Sequence, residues 1–204
     1  MAAYRIFGDS ISGNCLKVKW TADLLDLDYE WIETEVLKGQ SRTAQFLALN
    51  PAGQVPLIIT PGDRALAQSN AILLHLAETH PERGGAELLP VDPHQRAKVY
   101  EWLFWEQYSH EPYIAVRRFL KTYLRKADKD IDSKLFDRGV AALTRMERQL
   151  DGEAWIAGDD FSLADIALLA YTRVAHEGGF DLSAFPATKD WVGRAERRLG
   201  LEPV

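Results

Sequence analysis

The sequence predicts two units: an α/β unit over residues 1–80 and an all-helical unit over 93–204, joined by a linker at 81–92. Three observations carry this. Up to residue 80, short β-rich runs alternate with segments of helical spacing, in the order β-α-β-(α)-β-β-α. His80-Pro81, Gly84-Gly85 and Pro90 then punctuate the chain. Beyond them, the apolar residues recur only at helical spacing. The 204 residues are enough for two small domains at roughly 100–200 residues per domain.

Each element has its own warrant. Residues 4–7 form a short strand, cut off by Gly8-Asp9. Leu16, Trp20, Leu24 and Leu27 recur at helical spacing, and Asp26-Leu27-Asp28 ends that helix. Residues 29–36 hold Tyr, Trp, Ile, Thr and Val, a strand composition. A short helix around 43–49 interrupts polar sequence. Residues 55–60 and 64–68 flank the turn Pro61-Gly62-Asp63 and pair antiparallel. Ser69 caps a helix with Ile72, Leu73, Leu76 and Ala77 on its apolar side.

In the second unit, Asp92 caps a helix that starts at Pro93 and runs to about 124, with a kink or break at Pro112. A helix over 132–150 carries the seam Leu135, Leu143, Met146 and Leu150. Another starts at Ser162, where Ser162-Leu163-Ala164-Asp165 is a capping box with Asp in place of Glu. Asp165 is therefore read as a structural helix start. The last helix covers 187–199.

Composition excludes several function classes. Hydrophobic residues make up 47% and charged residues 26%, which suits a globular chain rather than a disordered or fibrous one. A net charge of −6 argues against nucleic acid or an anionic membrane as the main partner. One cysteine rules out an intramolecular disulfide and CxxC chemistry. The five histidines lack HxH or HxxxH spacing, so no metal is expected. Neither a signal peptide nor a membrane span is seen, so the expected location is the cytoplasm.

Three short stretches carry the candidate chemistry. Ser10-Ile11-Ser12-Gly13-Asn14-Cys15 joins the first strand to the first helix, where backbone N–H groups and the dipole favour an anion. Gln54-Val55-Pro56 enters a strand, and a cis bond there turns the Val55 backbone groups toward a ligand. Gln68-Ser69-Asn70-Ala71-Ile72 opens a second helix, whose N-terminus suits a carboxylate. Plain helix capping is the competing reading for Ser12 and Ser69.

Together these motifs resemble the cytosolic glutathione transferase superfamily. The resemblance spans the chain: the first junction with Ser12, Cys15, Lys17 and Val18; Asn50-Pro51-x-Gly53-Gln54-Val55-Pro56; Gln68-Ser69-Asn70-Ala71-Ile72; Phe161-Ser162-Leu163-Ala164-Asp165-Ile166-Ala167; and Phe185-Pro186 with Trp191. It implies a thioredoxin-like N-terminal domain, an all-α C-terminal domain and a homodimer, with glutathione as co-substrate and no metal. Gln54 and the Val55 backbone with cis Pro56 would hold the cysteinyl part of glutathione. Gln68 and Ser69 would hold the γ-glutamyl carboxylate, although many members have Glu where this chain has Gln68. Glu106 corresponds to an acid that reaches across the dimer to the glutathione ammonium in some classes.

The thiol-activating residue falls at Ser12, or at Asn14 in the relatives with a hydroxyl residue and an asparagine two apart. Tyr4 lies too early for a tyrosine-type enzyme. A catalytic cysteine would stand at Gly13, so Cys15 is read as buried packing. The second substrate, a small hydrophobic electrophile, would meet Tyr108, Glu111 and Arg117. Arg117, Arg118 and Lys121 otherwise read as a solvated face. The resemblance implies a glutathione transferase. The alternatives are a glutathione-dependent disulfide or peroxide reductase and a non-catalytic binding module.

The energetics are sufficient for Ser12. A free thiol titrates near ~8.5, and lowering this by ~2 units needs ~2.7 kcal/mol. A hydroxyl donating to a charged sulfur supplies ~1.5–3 kcal/mol. A helix N-terminus adds ~0.3–1 kcal/mol.

Overall fold

A computed structural model describes residues 3–204. The chain divides into two compact units at Leu89/Pro90.

The first unit is built on a mixed four-stranded sheet: β1 (Tyr4–Gly8), β2 (Tyr29–Glu33), β3 (Leu57–Ile59) and β4 (Ala65–Ala67), in the spatial order β2-β1-β3-β4. β1 pairs parallel with β2 and antiparallel with β3, and β3 pairs antiparallel with β4. The expected hairpin is present. All three β3 residues are buried, as a short apolar run in a central strand requires. Helices α1 (Gly13–Leu24) and α3 (Ser69–Thr79) pack together, and α2 (Ala44–Leu49) is capped by Thr43.

Three local expectations change. The β2 ladder stops short of Val36. Thr34 N–H donates to the Gly8 carbonyl, but Val36 N–H turns to the Asp9 carboxylate and opens a short 3₁₀ turn. Ser69 is not the cap of α3: Gln68 occupies that position, and Ser69 is the first helical residue. Residues 81–88 are structured, with a 3₁₀ turn and then α4 (Gly85–Leu88). A Cβ on Gly85 would lie 2.1 Å from the Ala77 carbonyl oxygen, so only glycine allows this approach.

The second unit is helical: α5 (Pro93–Trp105), α6 (Glu111–Arg118), α7 (Ser133–Leu150), α8 (Leu163–Thr172) and α9 (Pro186–Leu199). Every residue of α8 is buried, which makes it the core of the unit. Its start is the expected capping box, with the Ser162 and Asp165 side chains each serving the other's backbone. Asp165 also accepts from Ile156 N–H at 2.9 Å and from the Trp191 indole at 2.8 Å.

Pro112 does not break its helix. Residues 106–110 widen into a π-helical turn between α5 and α6. Pro112 has no N–H for the carbonyl four residues back and its ring crowds that carbonyl, so the chain opens by a residue instead of ending.

The solvated face expected at Arg117, Arg118 and Lys121 is also corrected. Arg117 and Arg118 are 7% and 8% exposed. Arg117 Nε donates to the Gly178 carbonyl, and its guanidinium pairs with Asp128 and lies over Phe136. Arg118 pairs with Glu177 at 2.6 Å. Lys121 bonds Asp128. Gly178 and Glu177 are about 60 positions away and Asp128 lies past the end of α6, which helical spacing alone does not reveal.

Among the described residues, no helix is long and apolar enough to cross a membrane, and no cluster of His, Cys, Asp and Glu is arranged to hold a metal.

Candidate functional site

The sheet register assembles the site. Phe7 of β1 lies opposite Leu57 of β3, and Leu57 lies opposite Ala67 of β4. The segment after β1, the segment before β3 and the segment after β4 therefore emerge at the same end of the sheet. These are the three stretches singled out in the sequence, from residues 10–15, 54–56 and 68–72.

Ser12 stands at the N-cap position of α1, with φ −90° and ψ 117°. Its carbonyl accepts from Cys15 N–H and Leu16 N–H, but its side chain makes no capping bond. The capping reading therefore holds for its backbone and not for its hydroxyl. That hydroxyl hydrogen-bonds the Cys15 thiol.

Cys15 is fully buried, and burial pushes its thiol up to about 11 against the opposing hydrogen bonds from Asp9 and Ser12. Cys15 itself is no nucleophile. Native protein at pH 8 is expected to resist a thiol-alkylating reagent and to take up one equivalent when unfolded. Rapid labelling of the folded chain, read by mass spectrometry, would contradict this placement.

Asn14 and Ser69 meet although 55 positions separate them: Ser69 Oγ donates to Asn14 Oδ1 at 3.1 Å. The N-terminal turns of α1 and α3 thus join at this point. Gln68 before α3 is exposed, with φ 73°. Holding a non-glycine residue there costs about 1–3 kcal/mol, and such residues cluster at ligand clamps.

The Val55–Pro56 bond is cis. Val55 is half-buried and Pro56 buried, while Gln54 is exposed. Asn50 holds this segment: its Nδ2 donates to the Gln54 carbonyl at 2.7 Å, and its Oδ1 accepts from Ala52 N–H at 3.2 Å.

The second-unit candidates differ in exposure and in partners. Tyr108 is 83% exposed, Glu111 is half-buried, and Arg117 is held by Gly178 and Asp128 as described. Arg117 thus presents no guanidinium to a second substrate. Glu106 is fully buried, with Oε2 accepting from Gln107 Nε2 at 2.8 Å. To reach across a dimer, that carboxylate would have to leave the interior.

Sequence reasoning missed Asp9. It is 3% exposed and organises the turn before Ser12. Its Oδ1 accepts from Ile11 N–H two residues on, an Asx-turn. An Asp directly after a strand and before a Ser-rich turn was the available signal.

Comparison with known proteins follows the two units. The model of the glutathione S-transferase N-terminal domain matches residues 6–84, and that of the C-terminal domain matches residues 103–198. A crystal structure of a glutathione S-transferase from Pseudomonas fluorescens superimposes with a TM-score of 0.89 at 44% identity, covering 96% of this chain and 95% of that one. Glutathione S-transferase 1 of Dianthus caryophyllus is 31% identical over 91% of this chain and 83% of its own. The Escherichia coli protein named disulfide-bond oxidoreductase YfcG is 27% identical over 85% and 81%. Protein URE2 of Eremothecium gossypii is 26% identical over 97% of this chain, which spans 66% of its length.

Proposed function

Since the chain belongs to the glutathione S-transferase superfamily, we propose that it binds glutathione at the end of its sheet and activates the thiol for attack on a hydrophobic electrophile. The register that brings residues 10–15, 54–56 and 68–72 to one end carries this reading.

Gln54 and the Val55 backbone pair with the cysteinyl part, in the manner of a short β-ladder. Gln68 and Ser69, at the N-terminus of α3, hold the γ-glutamyl carboxylate by hydrogen bonds and the helix dipole. Ser12 donates its O–H to the sulfur, which stabilises the thiolate over the thiol. The thiol proton leaves to solvent, the sulfur bonds to the electrophilic carbon, and the leaving group departs with its electron pair. The unit of function is a homodimer, as is typical of the family.

A second reading keeps the same binding site. The Ser12–Asn14 spacing and the oxidoreductase relative favour attack of the thiolate on a disulfide sulfur instead of on carbon.

Two measurements test the proposal. The protein should be retained on immobilised glutathione and released by the free tripeptide; a failure to bind defeats both readings. Turnover of a chlorinated nitroarene should then exceed turnover of a small mixed disulfide. The reverse ranking replaces the transferase with the reductase.

A further inference from the structure

We propose that Asp9 is a positioning residue that holds the Ser12 turn in its thiol-activating geometry; this rests on the glutathione reading of Ser12.

The chain must pass from the end of β1 to the start of α1 in four residues. The backbone N–H groups of Ser10, Ile11 and Ser12 in that turn need acceptors. Ser10 N–H donates to Glu33 Oε1 at 2.8 Å. The other two go to Asp9: Ile11 N–H to its Oδ1 at 3.1 Å, and Ser12 N–H to its carbonyl at 3.0 Å. The remaining carboxylate oxygen, Oδ2, accepts from Val36 N–H at 2.8 Å, 27 residues away. One buried side chain thus ties the Ser12 turn to the segment after β2.

The chemistry requires a carboxylate. Both groups that face the side chain are N–H donors, so an acceptor-only group satisfies both. Asparagine satisfies one and turns an NH₂ against the other. An acid at this depth is costly to bury unless its oxygens are bonded, as these are.

Charge and geometry make opposite predictions. A negative charge close to a thiolate disfavours it and raises the thiol pKa. If Asp9 acted through its charge alone, neutralising it would make the bound thiol more acidic. If Asp9 acts by holding Ser12, neutralising it makes the thiol less acidic.

The experiment is a pH titration of thiolate ultraviolet absorbance for glutathione bound to the full chain. Wild type, Asp9→Asn and Val36→Pro are compared, with kcat and KM for glutathione on each. Val36→Pro removes only the N–H that reaches Oδ2. Val36 opens a short 3₁₀ turn, and Glu35 before it has φ −69° and ψ 106°, a conformation that a following proline accepts.

Asp9→Asn is expected to raise the bound thiol pKa by about one unit, a tenfold loss of thiolate at low pH, with kcat falling more than KM rises. Val36→Pro should move the pKa the same way by less. A pKa that is unchanged or lowered in folded Asp9→Asn overturns the proposal. If that variant does not fold, an unchanged or lowered pKa in Val36→Pro does so. If wild type itself does not acidify glutathione, the glutathione reading fails first and this inference falls with it.

Discussion

Ser12→Ala is expected to return the thiol of bound glutathione most of the way to its free pKa. If the site lowers that pKa by ~2 units, thiolate at pH 7 falls from about three quarters to a few per cent, roughly 10- to 30-fold. Turnover of the electrophile should fall by the same factor while glutathione is still retained, because Gln54, Val55, Gln68 and Ser69 are untouched. The defect has a pH signature. It is full below the wild-type pKa and disappears above about pH 9, where free glutathione ionises unaided. A variant that stays impaired at high pH has lost something other than thiol acidity. If Asn14→Ala shifts the titration and Ser12→Ala does not, the activating group is Asn14.

Asp165→Ala is expected to produce the largest loss of stability, about 3–5 kcal/mol, measured by urea unfolding. The carboxylate is fully buried and accepts from Ile156 N–H, Ser162 N–H, the Ser162 hydroxyl and the Trp191 indole. Truncation leaves these buried donors without their acceptor, at about 1–3 kcal/mol for each that finds no other. It also removes half of the capping box that starts α8, the buried core of its unit. Asp165→Asn keeps one acceptor oxygen and should fall between wild type and alanine. A loss below about 1 kcal/mol for alanine would mean that these groups find other partners on relaxation.

The contrast between Asp165 and Asp9 shows what a sequence discloses. The capping box is local: Ser162 and Asp165 are three apart, and their roles follow from spacing. The β3–β4 hairpin is local in the same sense, through Pro61-Gly62-Asp63. The two-unit organisation and the candidate stretches at Ser12, Val55-Pro56 and Ser69 were legible too, because each lies at a strand or helix junction.

What escaped depends on distant partners. Arg117 and Arg118 looked solvated because Gly178, Asp128 and Glu177 lie outside their helix. Pro112 looked like a kink or break because its missing hydrogen bond is visible in sequence, whereas the relief by a π-helical turn is not. Ser69 looked like a cap because the left-handed backbone of Gln68 cannot be read from a glutamine. Asp9 was overlooked because one of its two oxygens reaches Val36 on another segment.

The Asn14–Ser69 hydrogen bond has a consequence for genetics as well as for chemistry. A serine has one hydroxyl proton, and here Asn14 already receives it. A carboxylate arriving at Ser69 competes for that same proton. Substitutions at positions 14 and 69 should therefore be epistatic: the effect of the pair departs from the sum of the single effects, in thiol acidity and in glutathione affinity alike. A lineage that altered one of the two would change the selective value of every allele at the other.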